Sequence, residues 1–265
     1  MAAGGAIIEL RGVGKSFDGG HSQAVDGVSL TVGSGAFLAL VGASGSGKTT
    51  TLKMINRLAE PDQGEVLIEG APAGDLPAAE LRRRIGYVFQ GIGLFPHLSV
   101  AENIGITPSL LGWSRADIEA RTLELLDLVE LPRGYGPRPP AALSGGERQR
   151  VGVARALAAR PRIVLMDEPF GALDPVTRDS LGGAYRALHD RLGLTTVMVT
   201  HDMQEAILLA DRIAVMRQGR LIAEGAPGEL VSGSADPEVR ALLDMPRRQA
   251  ERVRVRLGDE GSGHG

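Results

Sequence analysis

The chain has no cysteine. That excludes a disulfide framework and any thiolate metal site, and it suits a reducing cytosol. Long apolar runs are missing as well: none approaches the ~20 residues that a membrane-spanning helix needs. Work at a membrane would need spanning helices from another chain. The opening Met1-Ala2-Ala3-Gly4-Gly5-Ala6 has neither the basic start nor the apolar core of a signal peptide. Aromatics are only 3% of 265 residues, so the core must rest on Leu, Val, Ile and Ala. Formal net charge is −3, which argues against a broad basic face for nucleic acid. The length suits one large domain or two small ones.

What the chain does have is a glycine pattern with a purpose. Gly42-Ala43-Ser44-Gly45-Ser46-Gly47-Lys48-Thr49 fits G-x-x-x-x-G-K-[ST], the phosphate-binding P-loop. The apolar run Phe37 to Val41 precedes it as a strand candidate. Thr50 to Leu58 follows as a helix candidate, with Leu52, Ile55 and Leu58 at helical spacing. In that context glycines let backbone N–H groups turn around phosphate oxygens. The helix aims its positive end at the same anion. Lys48 offers a charge near the β- and γ-phosphates, and Thr49 a hydroxyl for Mg²⁺.

Short apolar runs recur along the chain: Ala6–Leu10, Ala24–Val32, Glu65–Gly70, Ile85–Phe89, Ile163–Met166, Thr195–Val199 and Ile213–Met216. Helical patterns alternate with the later ones, which predicts an α/β fold with a mostly parallel sheet covered on both faces. Between Gln90 and Arg160 the alternation stops. Val100 to about Leu131 reads as helical, Pro132 to Pro140 as a break, and a second helix begins at Ser144. This stretch, about 91–160, is expected to be a helical insertion. Arg82-Arg83-Arg84 reads as a solvated helix end rather than a binding patch. Residues 236–265 form a tail made basic by Arg247, Arg248, Arg252, Arg254 and Arg256. It reads as helical and solvated, with a weak contact to an anionic membrane surface as the alternative, and with a disordered Gly258–Gly265 end.

Three strand ends carry candidate chemistry. Asp167-Glu168 closes an apolar strand, where ligands of open parallel sheets bind. Asp167 is suited to holding Mg²⁺, and Glu168 to orienting or deprotonating a water. His201 and Gln90 follow strands of their own and are candidates for the γ-phosphate. Phe17 sits before the Asp18-Gly19-Gly20 turn; it could stack on a base or pack a strand end. Leu143-Ser144-Gly145-Gly146-Glu147-Arg148-Gln149 contains S-x-x-E, a capping box. The box explains Ser144 and Glu147. It does not explain two glycines in a first helical turn, which suit close approach of an anion. A second phosphate site in a chain with one P-loop makes sense if it serves another chain's nucleotide.

Together these residues resemble the ATP-binding subunits of ABC transporters. The P-loop, Gln90, the Leu143–Gln149 signature, Asp167-Glu168, Ala172-Leu173-Asp174 and His201 occur in that family's order, over about residues 6–232. The resemblance implies a P-loop NTPase (RecA-like) core, with an N-terminal antiparallel β subdomain and an inserted helical subdomain. The ATPase domain would span 6–235. The implied cofactors are ATP and Mg²⁺. ATP would contact Phe17 and Gly42, Ala43, Ser44, Gly45, Ser46, Gly47, Lys48, Thr49 and Thr50. Mg²⁺ would be held by Thr49, Gln90 and Asp167. Glu168, His201 and Gln90 would carry the catalysis. Ser144, Gly145, Gly146 and Glu147 would face the ATP of a partner subunit.

Two positions depart from the family pattern: Phe17 where Tyr is frequent, and Glu147 where Gln is frequent. The implied partners are a second copy in a head-to-tail dimer, integral membrane permease subunits and, indirectly, a solute-binding protein. No nucleic acid is implied. The implied location is cytoplasmic, on the inner face of the cell membrane. Leu94, Phe95 and Pro96 are candidates for permease docking or for local packing. The runs Leu52–Leu58, Gly91–His97 and Phe170–Asp179 look most like ATPases for glycine betaine, choline and related osmoprotectants. Another small solute, a non-transport ABC ATPase and a nucleotide-sensing module are the alternatives.

Overall fold

The computed structural model describes residues 5–91, 93–233 and 236–256. Ile92 in the loop after Gln90, and the Gly258–Gly265 end, lie outside the described residues. In chain order the elements are β1 (Ala6–Ser16), β2 (Gln23–Gly33), β3 (Phe37–Val41), α1 (Lys48–Ile55), β4 (Gln63–Ile68), β5 (Ala71–Pro72), α2 (Ala78–Arg84) and β6 (Ile85–Val88). Then come α3 (Val100–Leu110), α4 (Arg115–Leu128), α5 (Gly145–Leu157), β7 (Ile163–Asp167), α6 (Pro175–Leu192) and β8 (Thr195–Val199). The chain continues through α7 (Met203–Leu209), β9 (Arg212–Arg217), β10 (Arg220–Gly225), α8 (Pro227–Gly233) and α9 (Pro237–Arg256).

Among the described residues these strands make two sheets. One is antiparallel in the order β2-β1-β4-β5. The other runs β10-β9-β3-β8-β7-β6, parallel except for the β9–β10 hairpin at its edge. The expected mostly parallel sheet and N-terminal antiparallel unit are both present. All five residues of β3, β7 and β8 are buried, as strands covered on both faces require. Alternate side chains serve two cores. Phe37, Ala39 and Val41 face one with Val164, Met166 and Met198. Leu38 and Leu40 face the other with Leu165, Val197, α1 and the antiparallel sheet.

The stretch expected to be helical from Val100 to about Leu131 is two helices. Pro108 lies inside α3, Gly112 adopts a left-handed φ of 77°, and Ser114 caps α4 by accepting from the Asp117 N–H. The helix after the P-loop starts at Lys48 and ends at Ile55, earlier than expected at both ends. Leu58 therefore stays off its buried face and is exposed. The strand expected to run to Phe89 stops at Val88.

His189 of α6 ties the two layers together at one corner. Its Nδ1 lies 3.0 Å from the Thr196 hydroxyl on β8, and its Nε2 3.2 Å from the Gly35 carbonyl oxygen before β3. Burial, with the Arg186 charge, pushes its pKa below the ordinary 6.5. The unfolded chain then binds this proton more readily than the folded one. Stability is present at higher pH and falls as pH drops through about 6.5. Thermal unfolding between about pH 7.5 and 5.5 is expected to show a shallower acid loss for His189→Gln than for the parent. An equal loss would remove His189 from that role.

Candidate active site

The P-loop turns between β3 and α1, and two of its glycines are demanded by the protein itself. A Cβ on Gly42 would meet the Met216 carbonyl oxygen of β9 at 2.1 Å. A Cβ on Gly47 would meet the Ala24 carbonyl oxygen of β2 at 2.4 Å. Both also have positive φ, 145° and 99°. Gly45 has a φ of 76° but open space beside it. The β9–β10 turn braces the loop: the Gly219 N–H donates to the Ser46 carbonyl oxygen, and the Asp26 N–H to the Gly219 carbonyl oxygen. Sequence reading missed this brace, because the contact joins residues more than 170 positions apart. Gly47→Ala is expected to cost at least about 2 kcal/mol more than Gly45→Ala in unfolding free energy, since only Gly47 adds a backbone clash to the left-handed strain. Denaturant titration of the two variants measures the difference.

Within the loop Ala43, Ser44 and Gly45 are exposed, while Ser46 and Lys48 are buried. The Lys48 ammonium donates to the Gly42 and Ala43 carbonyl oxygens, both at 2.8 Å, and to Ser46 Oγ at 3.3 Å. Burial lowers its pKa, while the Glu168 and Asp167 charges act to raise it. Thr49 and Thr50 are half-buried in the first turn of α1.

Across the sheet, the Thr49 hydroxyl donates to Asp167 Oδ1 at 2.9 Å. That bond joins the first turn of α1 to the end of β7. Burial pushes the Asp167 carboxyl up, against the Thr49 hydroxyl and the Lys53 charge. Glu168 follows in a left-handed conformation, φ 49°, with its N–H donating to the Val199 carbonyl oxygen of β8 at 2.9 Å. A non-glycine residue pays about 1–2 kcal/mol for that backbone, a strain that functional sites tend to hold. His201, exposed after β8, brings Nδ1 to 3.4 Å from Glu168 Oε1. Its neighbour Asp202 caps α7 and pairs with Arg178 of α6 at 3.0 Å, which anchors the turn.

The remaining candidates divide. Gln90 stands exposed in the turn after β6, at the sheet edge beside β7. Phe17 is 68% exposed past the end of β1, with Lys15 Nζ 5.5 Å from its ring. That exposure removes the strand-end packing alternative. The capping box forms: Ser144 Oγ accepts from the Glu147 N–H, and Glu147 Oε2 from the Ser144 N–H at 2.7 Å. The Tyr135 hydroxyl also donates to Glu147 Oε1. Backbone and side-chain bonds to Ser144 hold the Glu147 carboxyl below its ordinary range. The two signature glycines differ. A Cβ on Gly146 would press the end of the Leu173 side chain at 3.2 Å, so packing disfavours a side chain there. Gly145 meets nothing nearer than Arg148 Nη2 at 4.0 Å, so packing does not account for it. Among the described residues no hydrogen bond or ion pair joins Ser144–Glu147 to the P-loop. A link to the turn after β7 exists instead: buried Gln149 donates to the Pro169 carbonyl oxygen at 2.6 Å. Sequence reading left Gln149 without a role.

Residues 25–171 match the family described as ABC transporter. This chain belongs to that family. A dimeric ATP-binding cassette in a post-hydrolysis state, bound to ADP and Pi, superposes with a TM-score of 0.78. It is 35% identical and covers 83% of this chain and 98% of its own. The fold is thus that of an ABC cassette. The choline transport ATP-binding protein OpuBA of Bacillus subtilis is 48% identical over 241 residues, 91% of this chain and 63% of the relative. The glycine betaine uptake system ATP-binding protein YehX of Escherichia coli is 50% identical over 237 residues, 89% of this chain and 76% of the relative. The chain thus spans a little under two thirds of OpuBA's length. As in the sequence reading, its kinship within the ABC family lies with the osmoprotectant uptake group.

Proposed function

We propose that the chain is the ATP-hydrolysing subunit of an importer for quaternary amine osmoprotectants such as glycine betaine, choline and carnitine. The observation that carries the ATPase reading is the Thr49–Asp167 hydrogen bond, with Glu168 next in sequence and His201 in contact with it. The P-loop N–H groups and Lys48 bind the phosphates; Lys48 exchanges its loop carbonyl partners for phosphate oxygens. Phe17 stacks on the base. Glu168 accepts the proton of the attacking water, and His201 contacts the γ-phosphate while steadying Glu168.

Magnesium fits this donor set. Thr49 and Asp167 offer hard oxygens, and Gln90 an amide oxygen. Among the described residues no group of three or more His, Cys, Asp or Glu could hold a metal alone, which suits an ion that completes its shell with phosphate and water. Bound there, Mg²⁺ supplies charge neutralisation on the phosphates.

A second copy completes the site in this reading. Ser144 is exposed and Gly145 and Gly146 are half-buried at the start of α5, and the open space beside Gly145 can take an anion. Two ATP molecules would lie between the P-loop of one copy and the signature of the other, and hydrolysis would release the pair.

Among the described residues no helix is long and apolar enough to cross a membrane. In this reading separate permease subunits supply the import path. A groove of about 400 Å³ lined by Leu58, Tyr87, Phe89 and Phe95 offers their docking surface. Phe95 is 42% exposed and Leu94 half-buried, so Phe95 is the better contact of the two. We place the chain on the cytoplasmic face, with a solute-binding protein delivering cargo. Sequence kinship alone names the solute. Reconstitution with the co-purifying permease tests it: ATP-driven uptake of labelled glycine betaine or choline is expected. Uptake of an unrelated solute, with none of a quaternary amine, would overturn the assignment.

A further inference from the structure

The surface beside that groove gathers a pattern the ATP chemistry leaves unused. Its centre is Arg82-Arg83-Arg84 at the end of α2, read from sequence as a solvated helix end. All three are exposed. Arg82 donates to the backbone carbonyls of Asn56 and Arg57, which holds its head group in place. Arg84 pairs with Glu80, and Arg162 with Glu69. Among the described residues no carboxylate pairs with Arg82, Arg83 or Arg160. A second groove of about 580 Å³ shares Arg83, Ile85 and Pro161 with the first. Arg83, Arg84, Arg160 and Arg162 line it, against the carboxylates Glu69 and Asp75.

An apolar tip adjoins these charges. Leu110 is 59% exposed and Leu111 45%, where α3 turns at Gly112. Leu111 lines the second groove. Trp113, the chain's single tryptophan, is half-buried with the Arg160 guanidinium 5.5 Å from its ring. Two neighbouring leucines left in water at a turn, a tryptophan and a ring of arginines form the combination that a membrane–water interface solvates. Trp sits at headgroup level, leucines enter the acyl boundary, and arginines reach phosphate.

We infer that this face rests on an anionic phospholipid surface, with Arg83 and Arg160 on headgroup phosphates and Leu110-Leu111 at the acyl boundary. The charges come from α2 and the segment before β7, and the apolar tip from the end of α3. Four of the arginines share one groove with Leu111, so charge and exposed apolar surface lie on one face, the pairing that an anionic headgroup layer over an acyl boundary matches. The neighbouring docking groove points the same way, since a permease lies in the membrane. That last support rests on the proposed function. The lipid contact itself is measured without a permease or ATP.

Co-sedimentation of the full chain with vesicles tests it. Vesicles of phosphatidylcholine with about one-third phosphatidylglycerol are expected to bind the protein, and pure phosphatidylcholine to bind it far less. Raising salt should weaken the binding. Arg83→Glu with Arg160→Glu should lower affinity by at least about twenty-fivefold, at about fivefold or more per lost positive charge. Leu110→Ser with Leu111→Ser should lower it as well. Unchanged ATP binding by each variant shows that the fold survives. The basic α9 is the rival source of charge. Replacing Arg247, Arg248, Arg252, Arg254 and Arg256 by Gln should leave affinity within about twofold. Three results would overturn the inference: no binding by the parent, loss only in the α9 variant, or patch variants that bind vesicles normally yet fail to capture the permease. The last would assign the face to the permease protein.

Discussion

In the Glu168→Gln variant, ATP turnover is expected to fall about a thousandfold while nucleotide affinity stays within about threefold of the parent. Glutamine keeps the size and the polar contact with His201 but cannot accept a proton from water. The backbone there is held by the Glu168 N–H to the Val199 carbonyl oxygen, a bond indifferent to the side chain. The φ of 49° costs glutamine about what it costs glutamate. The substitution therefore removes the base and little else. With hydrolysis blocked and ATP retained, the two copies stay joined, so the variant should run as a dimer only when ATP is present. Phosphate release and gel filtration with and without ATP give both readouts. Hydrolysis at the parent rate would remove Glu168 from its role.

Lys48→Ala is expected to lower ATP affinity by about a hundredfold, the worth of a charge-assisted hydrogen bond to phosphate in a partly buried site. The fold should tolerate it. The ammonium's partners, the Gly42 and Ala43 carbonyl oxygens, are only partly buried and Ala43 is exposed, so water can replace the amine. Nucleotide titration measures the loss, and an unchanged thermal midpoint without nucleotide shows that the loop survives.

The parts of the site visible in the sequence were those in which neighbouring residues carry the chemistry. Lys48 and Thr49 share one loop, Asp167 and Glu168 end one strand, and Ser144 and Glu147 close one helical turn. Strand runs were legible because β3, β7 and β8 are apolar throughout. What stayed hidden depends on residues distant in sequence. Gly47 is required by a carbonyl on β2, Gly146 is crowded by Leu173, and Gln149 is tied to the Pro169 carbonyl. Helix ends were misread where a cap outweighs periodicity: Ser114 and Gly112 divide a stretch whose apolar spacing runs on without a break. The glycine pair of the signature taught a narrower lesson. Only Gly145 lacks a packing reason, so the case for a partner's phosphate rests on that residue.

That case is open to a direct measurement. Gly145→Asp has room within its own chain and puts an acid at a helix start, where the dipole favours it, so folding should be unharmed. The carboxylate would repel a partner's phosphate. At an ATP concentration that fills the parent P-loop but not the weakened Lys48→Ala one, Lys48→Ala and Gly145→Asp should each be nearly inactive alone. Mixed in equal amounts, half the dimers are hybrids. Each hybrid pairs one damaged P-loop with the damaged signature and leaves the other site whole. The mixture should recover about one quarter of parent ATPase activity, the share set by random pairing in a two-fold dimer. A mixture as silent as its parts, or full activity in Gly145→Asp alone, would contradict a site shared between two copies.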